Sequence, residues 1–473
     1  MSEANEKSKL HRALGYRDVV LLFITCCVNL QWVATAAGAG PTAIFFWILG
    51  FLTMTVPLAA AVLEMSSRYP EEGGIYVWSK KAFGDFGGFM TGWIYWMSNL
   101  PYFPGVLYFA AANILFMGGS RWLGLSGSSA YFLWTSVAIL TLATWVNLIG
   151  LEFGKWLNNA GAVARWVAAL GLIAMGGMAL SRFGSATSFA FDGLIPAASI
   201  KHLIFWSTVA FAVTGLEAAS FMGDEIRDAA RTIPRAIYTA APIVILIYLL
   251  GTVSVLVALP SSEITNMQGV MEAIASVGAR LGLPGIAPIT AFIVALSALG
   301  SVGAWLGATA RLPFVAGIDR YLPASFGRVH PKWGTPHVAL ITQSVITLVV
   351  VVLSQAGSTV KSAYDLLVSM AVISYLIPYL YLFVAVIKVQ REPAPPGAYR
   401  APGGRIGAIL LACLGFVSTS AAIVLALFPA EDDPNKSRSV AKLVILTFLL
   451  VGSGVLVYWM EKRQRARRLA TGR

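Results

Sequence analysis

The stretch "FWSTVAFAVTGLEAASFM", Phe205–Met222, is almost wholly apolar, yet its middle carries Thr214, Gly215 and Glu217. An earlier apolar run contains "VNLQWVATAAGAG", residues 28–40, with Asn29 and Gln31 among the apolar positions. A third run holds Arg165, the one basic residue well inside such a stretch. In hydrocarbon every backbone group must be bonded internally, so a glycine or a polar side chain in mid-span needs a reason. A charge at the bilayer centre costs about 2.5–3.5 kcal/mol on insertion scales. A helix that breaks there offers freed N–H groups to an anion and freed carbonyls to a cation. The chemistry open to these residues is reversible capture of a small polar solute, with Glu217 able to carry a proton or to gate. Structural readings stand beside this one. Gly215 could be a packing contact, Asn29 and Gln31 could bond a neighbouring helix, and Glu217 could bond an N–H freed by the break.

The elements that position them are membrane spans. The 473-residue chain is 57% hydrophobic and 12% charged, with mean hydropathy +0.74. A soluble domain carries roughly a quarter charged residues. Twelve apolar runs, at about 18–37, 42–67, 87–117, 129–149, 156–180, 203–223, 236–259, 286–312, 337–354, 363–387, 406–429 and 440–460, approach or exceed the ~20 residues that cross a ~30 Å core. The third is too long for one upright crossing, so tilt is expected. Residues 261–285 read as a loop with a short amphipathic helix. "VVLLFITCCV" before Ala34-Thr35-Ala36 imitates a signal peptide, but Asn29 and Gln31 interrupt it, and an uncleaved first span is the better reading.

The net charge of +12 could serve nucleic acid, but the positive residues sit in alternate loops. Lys and Arg are roughly threefold more abundant on the side holding both termini, which places those termini in the cytoplasm. The tail "EKRQRARRLATGR" fits a segment facing anionic lipid. Cys26, Cys27 and Cys413 all lie in apolar runs and form no disulfide framework, and the four histidines have no metal-ligand spacing. No cofactor is expected. "GLSG", residues 124–127, imitates a serine-protease motif, but no histidine falls in an apolar span to activate the serine, so no enzyme is expected. Neither repeated pore motifs nor charged rings mark a channel.

The two interrupted runs are the first and the sixth, the leading members of two sets of five. Five is odd, so the second set enters the membrane from the opposite side. Matched interruptions in inverted halves are the sequence sign of a secondary transporter's binding site.

Three segments carry a family resemblance: "EMSSRYPEEGGIYVWSKKAFGDFGGFMTGW" at 64–93, "GLEAASFMGDEIRDAARTIPRAI" at 215–237 and "GAWLGATARLPFVAGIDRYLPASFGRVHPKWGTPHVAL" at 303–340. From residue 16 to about 390 the chain resembles the amino acid–polyamine–organocation transporters. The resemblance implies an all-α membrane fold of twelve transmembrane helices: two inverted five-helix repeats in a LeuT-like arrangement plus two C-terminal helices. Expected divisions are 1–17 (cytoplasmic segment), 18–180 and 203–387 (the repeats), 406–460 (the added helices) and 461–473 (the basic tail). Carried over, the substrate carboxylate would lie at the first break, near Asn29, Leu30, Gln31, Trp32 and Val33. Its ammonium would face carbonyls of Phe211, Ala212, Val213, Thr214 and Gly215. Phe211 and Trp305 match gating aromatics, and Asn99 matches a side-chain contact from the third helix; core packing is the alternative for all three. Arg165 falls where sodium-independent relatives carry a lysine that stands in for sodium.

Two departures stand out. The Gly-Ser-Gly-like motif expected in the first helix is replaced by Asn29–Val33, and an Asn-Pro after the sixth is replaced by Asp228-Ala229. The expected function is secondary active transport of an L-amino acid, zwitterionic or acidic, across the plasma (inner) membrane. Exchange and proton coupling both stay open, with no sodium requirement. The alternative is a polyamine, disfavoured because it has no carboxylate for the break and would call for several acids.

Overall fold

The computed structural model describes residues 12–428, apart from 198, 320 and 356–359, together with 436–470. Residues 1–11, 429–435 and 471–473, parts of the expected terminal and C-terminal divisions, lie outside the described residues. The described chain is helical. The first half comprises α1 (Tyr16–Cys27), α2 (Leu30–Ala37), α3 (Ala43–Gly50), α4 (Val56–Arg68), α5 (Ile75–Ile114), α6 (Gly119–Leu123), α7 (Ser129–Leu148), α8 (Leu151–Phe183) and α9 (Phe191–Leu194). The second comprises α10 (Ile200–Ala212), α11 (Ala229–Ala258), α12 (Gly269–Arg280), α13 (Ile286–Thr309), α14 (Arg311–Ile318), α15 (His337–Gln355), α16 (Val360–Val389), α17 (Gly404–Ala426) and α18 (Lys436–Ala470).

Among the described residues, ten helices or joined helices are long and apolar enough to cross a membrane. The expected runs outside those ten are 203–223, whose helix α10 stops after 13 residues, and 440–460, which lies within α18. The third expected span is longer than its apolar core. α5 starts at Ile75 and bends at Gly84, so its polar first turns lie outside the apolar run. α18 runs through the start of the basic tail at 461 and continues to Ala470.

Large apolar side chains point outward on the peripheral helices. Trp134 on α7 and Trp156 on α8 are each 70% exposed, and Ile406 on α17 is 72% exposed. Such a surface suits lipid and not water. The buried core gathers instead where α1, α5, α10, α13 and α16 meet.

The packing of α8 on α13 depends on two glycines. A Cβ added to Gly161 or to Gly300 would come within 2.5 Å of the other's Cα. This close approach sets Arg165, one turn beyond Gly161, against Ser297, one turn before Gly300.

Candidate functional site

Both interruptions exist as backbone breaks. Between α1 and α2, Val28 (φ −90°, ψ 118°) and Asn29 (φ −127°, ψ 117°) are extended. Any L-residue adopts these angles, so this break needs no glycine. Asn29 starts α2 as its cap, its Oδ1 accepting from Gln31 N–H at 3.2 Å. The second break runs from Val213, after α10, to Glu217, before the 3₁₀ turn Ala218–Glu225. Here Gly215 has φ +111°, and a Cβ would meet Cys26 O and Cys27 Sγ at 3.3 Å. The residue must be glycine for both reasons: the conformation, and the near contact with the first broken helix.

One hydroxyl ties the two breaks together. Tyr248 on α11 reaches Cys27 O at 2.7 Å and Ala212 O at 3.1 Å, and accepts from Asn29 N–H at 3.1 Å. Phe211 O accepts from Thr214 N–H (3.1 Å) and hydroxyl (2.7 Å), and Val213 O from Thr55 (3.2 Å). Phe211 O thus already holds two donors, while Ala212 O and Val213 O each hold one side-chain donor, leaving a second lone pair.

Arg165 is 2% exposed and fully engaged. Nε donates to Ser297 Oγ at 2.8 Å and Nη2 to Ser297 O at 3.0 Å. Nη1 donates to Thr25 O at 2.5 Å and also to Val28 O. Ser301 Oγ donates to Thr25 O at 3.3 Å. The guanidinium therefore fills the space between the end of α1 and the middle of α13, and takes up carbonyls that the first break would otherwise leave to a cation.

Glu217 is fully buried. Its Oε1 accepts from Tyr375 OH at 2.8 Å, from Tyr379 OH at 2.7 Å and from Tyr95 OH. The Tyr95 and Tyr375 hydroxyls are 2.5 Å apart. Oε2 has no partner among the described residues. Three phenol donors satisfy one oxygen of the carboxylate and leave the other bare. None of these tyrosines stands out in the sequence reading. The available signal was the i, i+4 pair Tyr375 and Tyr379, which puts two hydroxyls on one face of an apolar helix.

A small, nearly closed cavity lies between the breaks, lined by Cys26, Cys27, Asn29, Trp32, Tyr102, Phe211, Ala212, Thr214, Trp305 and Tyr375. All but Tyr102 are buried. Of the expected site residues, the structure brings Asn29, Trp32, Phe211, Ala212, Thr214 and Trp305 to this wall. Leu30, Gln31, Val33, Val213 and Gly215 lie in or beside the breaks without lining it. Asn99 is also off the wall, its Nδ2 donating to Tyr95 O at 2.7 Å on its own helix. Asn29 Nδ2 has no hydrogen-bond partner of normal geometry among the described residues. Aromatic rings close the cavity in a chain: Trp32 to Phe211 (5.5 Å), Phe211 to Tyr375 (5.3 Å), Tyr375 to Trp305 (6.0 Å) and Trp305 to Tyr102 (6.0 Å).

The face that carries the N-terminal segment is locked by ions. Arg311 pairs with both carboxylate oxygens of Glu225 (3.0 and 2.7 Å), and Glu72 stands 3.9 Å away. Backbone bonds add a strap: Leu14 N–H donates to Glu225 O (3.1 Å) and Arg227 N–H to Leu14 O (2.9 Å). Burial and the neighbouring Glu225 carboxylate push Glu72 well above the usual carboxylate range, with Arg311 opposing.

Two broken helices pinned to each other around a nearly closed cavity define a membrane transporter for a small solute. Residues 14–458 match the amino acid permease family, and the chain belongs to it. An uncharacterized transporter of Legionella pneumophila is 25% identical over 463 residues, covering 97% of this chain and 98% of that protein. The probable agmatine/putrescine antiporter AguD of Lactococcus lactis is 22% identical, covering 85% and 84% respectively. Among solved structures, MhsT in complex with L-phenylalanine superposes with a TM-score of 0.61 at 14% identity, covering 87% of this chain and 97% of that one. The fold is therefore the LeuT-like one, and the protein is an integral membrane transporter of the amino acid–polyamine–organocation superfamily, not an enzyme.

Proposed function

We propose that the protein moves an L-amino acid across the plasma membrane by exchange or proton coupling, without sodium, with both termini in the cytoplasm. The observation that carries the substrate reading is the amide of Asn29, buried at the first break on the cavity wall beside Tyr102, where its Nδ2 makes no hydrogen bond of normal geometry among the described residues. A buried donor without an acceptor is costly. A substrate carboxylate, beside the N-terminal end of α2, would supply that acceptor. The substrate ammonium would take remaining lone pairs at the second break.

Sodium independence rests on Arg165. A fixed cation bonded to Thr25, Val28 and Ser297 carbonyls makes a metal cation redundant there. Arginine keeps its proton at any physiological pH, so it is not the proton carrier. Glu217, with Oε2 bare and Tyr375 linking it to the cavity wall, is the group placed to gate or to exchange a proton.

A second reading, polyamine transport, is favoured by the aromatic wall, since rings attract cations, and by the relative named for agmatine and putrescine. Purified protein in liposomes separates the two. Saturable uptake or exchange of labelled L-amino acids supports the first. Putrescine flux with no amino acid flux replaces it with the second.

A further inference from the structure

We infer that the substrate is an α-amino acid with an uncharged, apolar side chain. This narrows the amino acid reading above and rests on it.

The first observation concerns charge. Among the ten described residues lining the cavity none is acidic or basic. The two nearest ionic groups are both committed elsewhere: Arg165 to Thr25, Val28 and Ser297, and Glu217 Oε1 to three tyrosine hydroxyls. Neither lines the wall. The two poles of an amino acid have partners at the two helix breaks, but a third charge on its side chain would be buried without a counter-charge. An unpaired buried charge is strongly disfavoured.

The second observation concerns the rings. A cationic side chain could substitute ring faces for a counter-ion. Here the contacts Trp32–Phe211, Phe211–Tyr375, Tyr375–Trp305 and Trp305–Tyr102 are edge-to-face, at interplanar angles of 85°, 81°, 79° and 69°. The rings are thus engaged with one another, and the rest of the wall includes apolar area and the soft thiols of Cys26 and Cys27. Such a wall suits hydrocarbon or thioether groups.

The test uses full-length protein in liposomes preloaded with unlabelled leucine. Labelled leucine, methionine, phenylalanine, glutamate, lysine and putrescine are offered outside. The expected result is entry of the three apolar amino acids at least about tenfold faster than glutamate or lysine. Glutamate or lysine entering as fast as leucine overturns the inference and leaves the amino acid reading standing. Putrescine entering while every amino acid fails overturns that reading, and the inference with it. Thr214→Asp, which places a carboxylate on the wall, adds an independent arm. It should raise the lysine-to-leucine ratio several-fold, and an unchanged ratio in a variant with wild-type thermal stability also overturns the inference. Should the variant not fold, the wild-type panel decides alone.

Discussion

Arg165 and Ser297 are joined at two points, Nε to the hydroxyl at 2.8 Å and Nη2 to the carbonyl at 3.0 Å. The pair exists because Gly161 and Gly300 let α8 and α13 touch backbone to backbone one turn away. The guanidinium's remaining donors then reach the end of α1. A single side chain thus links the first broken helix to α13 without a metal ion.

Truncating that side chain should be severe. Arg165→Ala removes a donor from the carbonyls of Thr25, Val28 and Ser297 and from the Ser297 hydroxyl, with only Thr25 O keeping a side-chain donor, Ser301, at a cost on the order of 3 kcal/mol of stability. Thermal unfolding in detergent and uptake in liposomes should both fall steeply. Arg165→Lys keeps the charge but not the planar fork, so it should retain part of the transport. Wild-type uptake in the alanine variant would show that Arg165 is only a packing element.

Glu217→Gln keeps the shape inside the tyrosine cage and removes the ionisable carboxyl. The variant should show a flatter pH profile of transport, with hydrogen bonds to Tyr375 and Tyr379 still possible. A rate and a pH profile both equal to wild type would leave Glu217 with a structural role alone.

Tyr248→Phe removes the hydroxyl shared by Cys27, Ala212 and Asn29. Leaving these buried groups unpaired should cost about 1–3 kcal/mol, read as a lower unfolding temperature, together with loss of most transport. Unchanged stability and uptake would mean that the two breaks are held without it.

The ion lock near the N-terminal segment predicts a pH dependence. Glu72 has its folded-state pKa raised, so the folded protein holds a proton that the unfolded chain releases near pH 4.3. Its contribution is fully present below that pH and is lost as pH rises through the raised folded-state value. Wild-type unfolding temperature should therefore decline from about pH 5 upward more than that of Glu72→Gln. Parallel curves for the two proteins would contradict the assignment.

The spans and both interruptions were legible in the sequence because lipid imposes length and apolarity on every crossing. Glu217 and Arg165 were legible for the same reason, since a charge at that depth is conspicuous. The tyrosine cage was not. Tyr95, Tyr375 and Tyr379 read as ordinary residues of apolar helices, and they meet Glu217 across 122, 158 and 162 positions of chain. The first break was read from Asn29 and Gln31 although the family's glycines are missing there, and the structure shows why none is needed: Val28 and Asn29 are extended, with negative φ. Asn99 was carried over as a site contact from the family resemblance; its Nδ2 donates to Tyr95 O on the preceding turn.

The most direct test of the account replaces sodium. Liposomes bearing the wild-type protein, preloaded with an unlabelled L-amino acid, are offered the labelled amino acid in sodium chloride and in choline chloride. A cation already fixed between Thr25, Val28 and Ser297 predicts equal exchange in the two salts, with Arg165→Ala reduced in both. Exchange that disappears in choline would contradict the account, because a metal ion would then be doing what Arg165 is assigned to do.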